Sequence, residues 1–89
     1  MYIGDAGTQI IVDTGLDLTG ATLLEIHVRK PNGERVVWPA VRVGDTLMTY
    51  ITSADALDVP GRWELAAYME TPAGKWHGTP CTVDVHRAL

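Results

Sequence analysis

Leu57-Asp58-Val59-Pro60-Gly61-Arg62-Trp63-Glu64-Leu65-Ala66-Ala67-Tyr68-Met69 is the stretch on which the fold turns. Its first half reads as a tight corner. Pro60 fixes its own φ and offers no amide donor, and Gly61 accepts backbone angles that other residues avoid. Its second half alternates: Trp63, Leu65, Ala67 and Met69 face one way, while Glu64, Ala66 and Tyr68 face the other. That period of two marks a strand with one buried face.

Toward the N-terminus, Ser53 to Val59 suits one helical turn, with Ser53 as N-cap and Ala54, Ala56 and Leu57 as helix formers. Thr46 to Thr52 is rich in β-branched and aromatic residues and reads as a strand. Leu47 and Ile51 are expected in its core face; a slip of one residue would exchange them for Met48 and Tyr50. Arg35 to Val43 places Val36, Trp38 and Ala40 on one face, and Pro39 puts this strand at an edge or gives it a local irregularity. Lys30-Pro31-Asn32-Gly33-Glu34 predicts a hairpin with a type I turn and a bulge, glycine taking the left-handed position. From Thr22 to Lys30, Leu24, Ile26 and Val28 alternate with Glu25, His27 and Arg29. Asp13-Thr14-Gly15 and Leu18-Thr19-Gly20 are turns, and the β-branched run Thr8 to Val12 is the first strand. Toward the C-terminus, Thr71-Pro72-Ala73-Gly74 turns the chain into a last strand between Lys75 and His86. Cys81, Val83 and Val85 form its apolar side, and Pro80 divides it in two.

About seven short antiparallel strands with turn signals between them describe an all-β sandwich or a small, partly open barrel. The 57–63 corner selects the sandwich. Immunoglobulin-like domains place such a corner ahead of their sixth strand, where a tyrosine hydroxyl bonds back to the chain. Tryptophan stands in that place here, so the hydroxyl bond cannot form. The expectation is one immunoglobulin-like β-sandwich over residues 1–89, with residues 1–7 as an N-terminal arm.

With 89 residues, the core is thin: a domain of this size buries roughly 64% of its unfolded surface. The single cysteine, Cys81, excludes an internal disulfide, so support from neighbouring subunits is expected. Eleven acids against seven bases, spread without runs, argue against a nucleic-acid partner. No apolar stretch approaches the ~20 residues of a membrane span, and the N-terminus lacks the pattern of a signal peptide.

No catalytic, cofactor or metal set emerges. His27 lies on a wet strand face, His77 beside a turn and His86 near the end, without the spacing of a zinc site. Cys81 on an apolar face predicts a packed, inert thiol. Asp55 and Asp58 read as turn and cap residues, and Gly4 and Gly7 precede a strand, which is the wrong context for a phosphate loop. Trp38 and Trp63 read as core. The candidates for a protein interface are Tyr2, Ile3, Tyr68, Trp76 and His77: the first two as an arm docking on a neighbour, the others as exposed anchors. On that reading, loss of residues 1–7 weakens assembly and leaves the fold intact.

The order Gly4-Asp5-x-Gly7-Thr8, Asp17-Leu18-Thr19-Gly20-Ala21-Thr22, Lys30-Pro31-Asn32-Gly33, Trp38-x-Ala40, Leu57-Asp58-x-Pro60-Gly61-x-Trp63 resembles the immunoglobulin-like N-terminal domain of the bacteriophage baseplate upper protein family. The resemblance implies a non-enzymatic virion protein made in the host cytoplasm, present in multiple copies, and bound to other phage tail, baseplate or fibre proteins. Chains of that family continue beyond the domain and this sequence stops with it, so the expectation is either that another surface of the sandwich carries the contact or that the protein only decorates or cements. A capsid decoration or head-fibre protein is the alternative position. A glycan-binding module using Trp76, Tyr68 and His77 is the alternative from another class.

Overall fold

A computed structural model describes residues 2–53 and 55–87, and among them eight strands and no helix. These are β1 (Gln9–Asp13), β2 (Leu23–Arg29), β3 (Arg35–Pro39), β4 (Val41–Val43), β5 (Leu47–Ile51), β6 (Gly61–Thr71), β7 (Gly74–His77) and β8 (Cys81–Val85). They form two packed antiparallel sheets. The smaller runs β1-β5-β4; the larger runs β3-β2-β6, with β7 and β8 sharing the far edge of β6. These orders follow those of a variable-type immunoglobulin sandwich in which each sheet lacks its outermost strand.

Proline accounts for two breaks. Pro39 ends β3 on the edge of the larger sheet, and β4 begins two residues later in the other sheet. A residue without an amide ends a ladder most cheaply at such an edge. Gly78-Thr79-Pro80 separates β7 from β8, which pair with successive halves of β6.

The core lies between the sheets. Ile26, Val28, Trp38, Trp63, Leu65, Ala67, Met69 and Val85 come from the larger sheet, Ile10 and Met48 from the smaller, and Leu18 and Leu57 from loops. The register of β5 is the reverse of the expectation: Met48 and Tyr50 face inward, while Ile51 is exposed. The Trp38 ring decides it, stacking on Tyr50 with centroids 4.7 Å apart and planes 12° from parallel. Offset aromatic stacking adds to the area buried, which Leu47 and Ile51 could not match against that indole.

At the 57–63 corner the missing hydroxyl has a substitute. The Trp63 indole Nε1–H donates to the Val59 carbonyl at 2.9 Å, four residues upstream, and the ring is fully buried. Gly61, at φ +125°, sits where a Cβ would stand 2.8 Å from Pro31 Cγ, so the corner packs directly on the β2–β3 hairpin. That hairpin has its expected closure: Gly33, at φ +88°, donates its amide to Lys30 at 2.9 Å. Lys30 is buried beneath it. Its ammonium lies 2.9 Å from Asp58 and 5.5 Å from the Trp63 ring centre. Burial alone would lower its pKa; the Asp58 hydrogen bond and the charges of Asp58 and Glu34 outweigh this and raise it.

Three expectations are corrected. Ser53 to Val59 forms no helix among its described residues, Ala54 lying outside them; one backbone bond, Ala56 to Ser53, makes a turn. Burial of Leu57, whose carbonyl takes the Gly4 amide at 2.9 Å, outweighs local helix propensity. Cys81 is exposed, although its strand parity points inward, because no strand of the smaller sheet extends past β1 to cover it. The N-terminal segment is held by its own domain. Ile3 and Gly7 donate to His86 and Thr52 at 2.8 and 2.7 Å, and Ile3 packs on the core. Removing it therefore takes contacts from the fold itself.

Candidate protein-contact surface

The outer faces of the two sheets differ in chemistry. On the larger sheet it is polar and paired. Arg29 meets Glu64, Arg62 lies 3.4 Å from Asp84, and His27 lies 3.2 Å from Glu25. Here the structure brings Tyr68 and His77 together, with ring centroids 4.7 Å apart, and adds His27 at 4.8 Å on Tyr68. Tyr68 is buried between them, a correction to its reading as an exposed anchor. Its hydroxyl donates to Glu70 at 2.6 Å. That bond, with burial and the nearby carboxylates, pushes its pKa up to about 12. In a spectrophotometric titration Tyr68, identified by its loss in Tyr68→Phe, is expected to ionise at about 12, and Glu70→Gln should return it toward 10; a midpoint for Tyr68 near 10 in the unaltered chain would show that the bond does not form in solution.

Trp76 does not join this cluster. In the β6–β7 ladder it pairs with Met69, whereas His77 pairs with Tyr68, so the two neighbours lie on opposite faces of β7. Trp76 lines a shallow depression with Leu16, Asp17, Met69 and Thr71. Tyr2 is elsewhere again, bridged in parallel to His86 with the two rings 5.9 Å apart. The five candidates from the sequence thus fall in three places. Trp76, Tyr68 and His77 present no common stacking surface.

On the smaller sheet the outer face is apolar. Ile11 is 55% exposed, Ile51 54%, Val41 67% and Val43 41%, and the ladders set all four on one face, with Gln9 opposite Ile51 and Asp13 opposite Leu47 at its β1 edge. Thr49 lies between Ile11 and Val41, and Leu47 lies beside Val43. The Thr49 hydroxyl donates to the Ile10 carbonyl at 3.0 Å, so the polar group at the centre of the face is satisfied within the sheet. A contiguous apolar face of this kind marks an interaction surface, unlike single exposed side chains.

None of these four exposed residues was among the sequence candidates. Their signal is nonetheless in the chain: Ile10-Ile11-Val12 and Leu47-Met48-Thr49-Tyr50-Ile51 are apolar or β-branched at both parities. Strands covered on both faces read as continuous runs of that type.

Among the described residues, no group of three or more His, Cys, Asp or Glu side chains converges to hold a metal ion. Comparison with protein-family models and with curated proteins finds no match.

Proposed function

We propose that this domain is a non-enzymatic structural subunit of a bacteriophage virion, an adaptor or accessory protein of the tail or baseplate. Its contact surface for another virion protein is the outer face of the smaller sheet. The observation that carries the contact is the exposure of four aliphatic side chains, Ile11, Val41, Val43 and Ile51, on one face around Thr49, with Gln9 and Asp13 at its β1 rim. Water on that face is unfavourable, and covering each of these half-exposed side chains stabilises a complex by about 1 kcal/mol. The opposite sheet, with its cross-strand ion pairs, suits solvent. The virion assignment itself rests on the ordered motifs from Gly4 to Trp63 that resemble the baseplate family.

The experiment is quantitative mass spectrometry of purified phage or induced prophage particles from the strain that encodes the chain, with copy number calibrated to the portal ring. A ratio matching tail or baseplate rings supports the adaptor reading. A count near that of the major capsid protein moves the subunit to the head as a decoration. Absence from mature particles overturns the virion reading.

A further inference from the structure

The smaller sheet ends at β1, and the space beside that strand has a definite chemistry. Thr52 donates its amide to Thr8 at 3.0 Å, and Thr14 donates to Thr46 at 2.9 Å. Antiparallel ladders alternate, so the even-numbered residues of this segment bond to β5, while Gln9, Ile11 and Asp13 turn their amides and carbonyls away from it. This open edge adjoins uncovered parts of the larger sheet. Val85, Trp63, Leu65 and Met69 are buried at inward positions, yet Trp76 and Cys81, inward on the outermost strands, are exposed. Tyr2 and Ile3 lie along the end of β8 at His86; beyond them, toward Trp76, the place where an immunoglobulin sandwich carries its first strand is open among the described residues.

The geometry points to β-strand addition: an extended segment of a partner protein occupies this place, with a lysine or arginine at the end nearest Trp76. Its backbone pairs with Gln9, Ile11 and Asp13, and its inward side chains cover the exposed inner side of the β7–β8 edge. Main-chain bonds give such complexes affinity, and alternate side chains give specificity. Charge selects the basic end. Asp17 lies beside Trp76 in the same depression, and hydrogen bonds from Thr19 hold its carboxyl below the usual range, so it stays ionised. A cation there meets a carboxylate and an indole face together. The inference extends the protein-binding reading but stands on main-chain groups of β1 and on inner-side residues of β7 and β8, not on the side chains of the outer apolar face.

The test uses the whole chain and two synthetic peptides of alternating valine and threonine, one ending in lysine and the other in glutamate. Amide exchange is read residue by residue by NMR. The lysine peptide at about 1 mM is expected to slow exchange at Gln9, Ile11 and Asp13 by tenfold or more, and to shift Trp76 fluorescence. The glutamate peptide should do neither. Ile11→Pro, which removes an amide facing the open place and none bonded to β5, should abolish the effect while the thermal midpoint stays within a few degrees. Exchange unaltered by the lysine peptide, or slowed equally by both, overturns the proposal. So does protection of these three amides in the free protein together with dimerisation in sedimentation, which would make a second copy the occupant. Val41→Lys with Ile51→Lys, which removes the outer apolar face, should leave peptide protection intact, separating this result from the fate of that face.

Discussion

Replacing Trp63 with alanine is expected to cost about 3–5 kcal/mol of unfolding free energy, the range for deleting a large buried aromatic. A domain of this length has roughly 4–13 kcal/mol in total, so the variant sits at or beyond the edge of folding at 37 °C. The residue holds three parts of the structure at once. Its ring is the largest fully buried side chain, its Nε1–H fixes the corner through Val59, and its face lies beneath the buried ammonium of Lys30. Trp63→Phe separates these roles. It keeps most of the packing but leaves the Val59 carbonyl without its donor, at an expected cost of about 1–2 kcal/mol beyond the lost volume. Urea denaturation followed by circular dichroism gives both numbers. A loss below about 1.5 kcal/mol for Trp63→Ala would mean that the corner is not what secures β6 against the hairpin.

That corner was legible because its chemistry is local. Pro60, Gly61 and the alternation after them leave one reading, as do Lys30 to Glu34 for the hairpin and Pro39 and Pro80 for the two breaks. Where the sequence misled, a distant partner decided. β5 is apolar at both parities, so its periodicity carries no register; the Trp38 ring, brought across from the other sheet, selects Tyr50 and Met48. Cys81 has the parity of a core residue, but parity says nothing about whether a facing strand exists. Ser53 to Val59 has helical propensity that yields to the burial of Leu57.

The proposed contact surface was hidden by the same ambiguity. A face of isoleucine and valine looks like core until the sheets are placed, and of the aromatic residues that draw attention as anchors Tyr68 is spent elsewhere, while Tyr2 and Trp76 stay exposed away from that face. Tyr68 is sandwiched between histidines and tied to Glu70. Aromatic residues are enriched at contacts, but enrichment cannot tell which copy of a residue type is free to make one.

The double variant Val41→Lys with Ile51→Lys is expected to reduce incorporation into particles by more than a hundredfold while the isolated domain stays folded. Both side chains are more than half exposed, so the expected cost to stability is within about 0.5 kcal/mol each. Their cost to a complex is far larger. Each lysine removes an apolar contact of about 1 kcal/mol and places an unpaired ammonium where water is excluded, which costs at least as much again; two such losses multiply to beyond two decades in affinity. A tagged copy expressed in a strain lacking the native gene, counted in purified particles against the portal, gives the measurement, and thermal melts verify the fold. Val37→Lys is the matched control, an exposed valine on the outer face of the other sheet. If the control is excluded from particles and the double variant enters normally, the contact lies on the larger sheet, and the apolar face of β1, β4 and β5 has another use. If the double variant alone is excluded, the face that water disfavours is the one the virion covers.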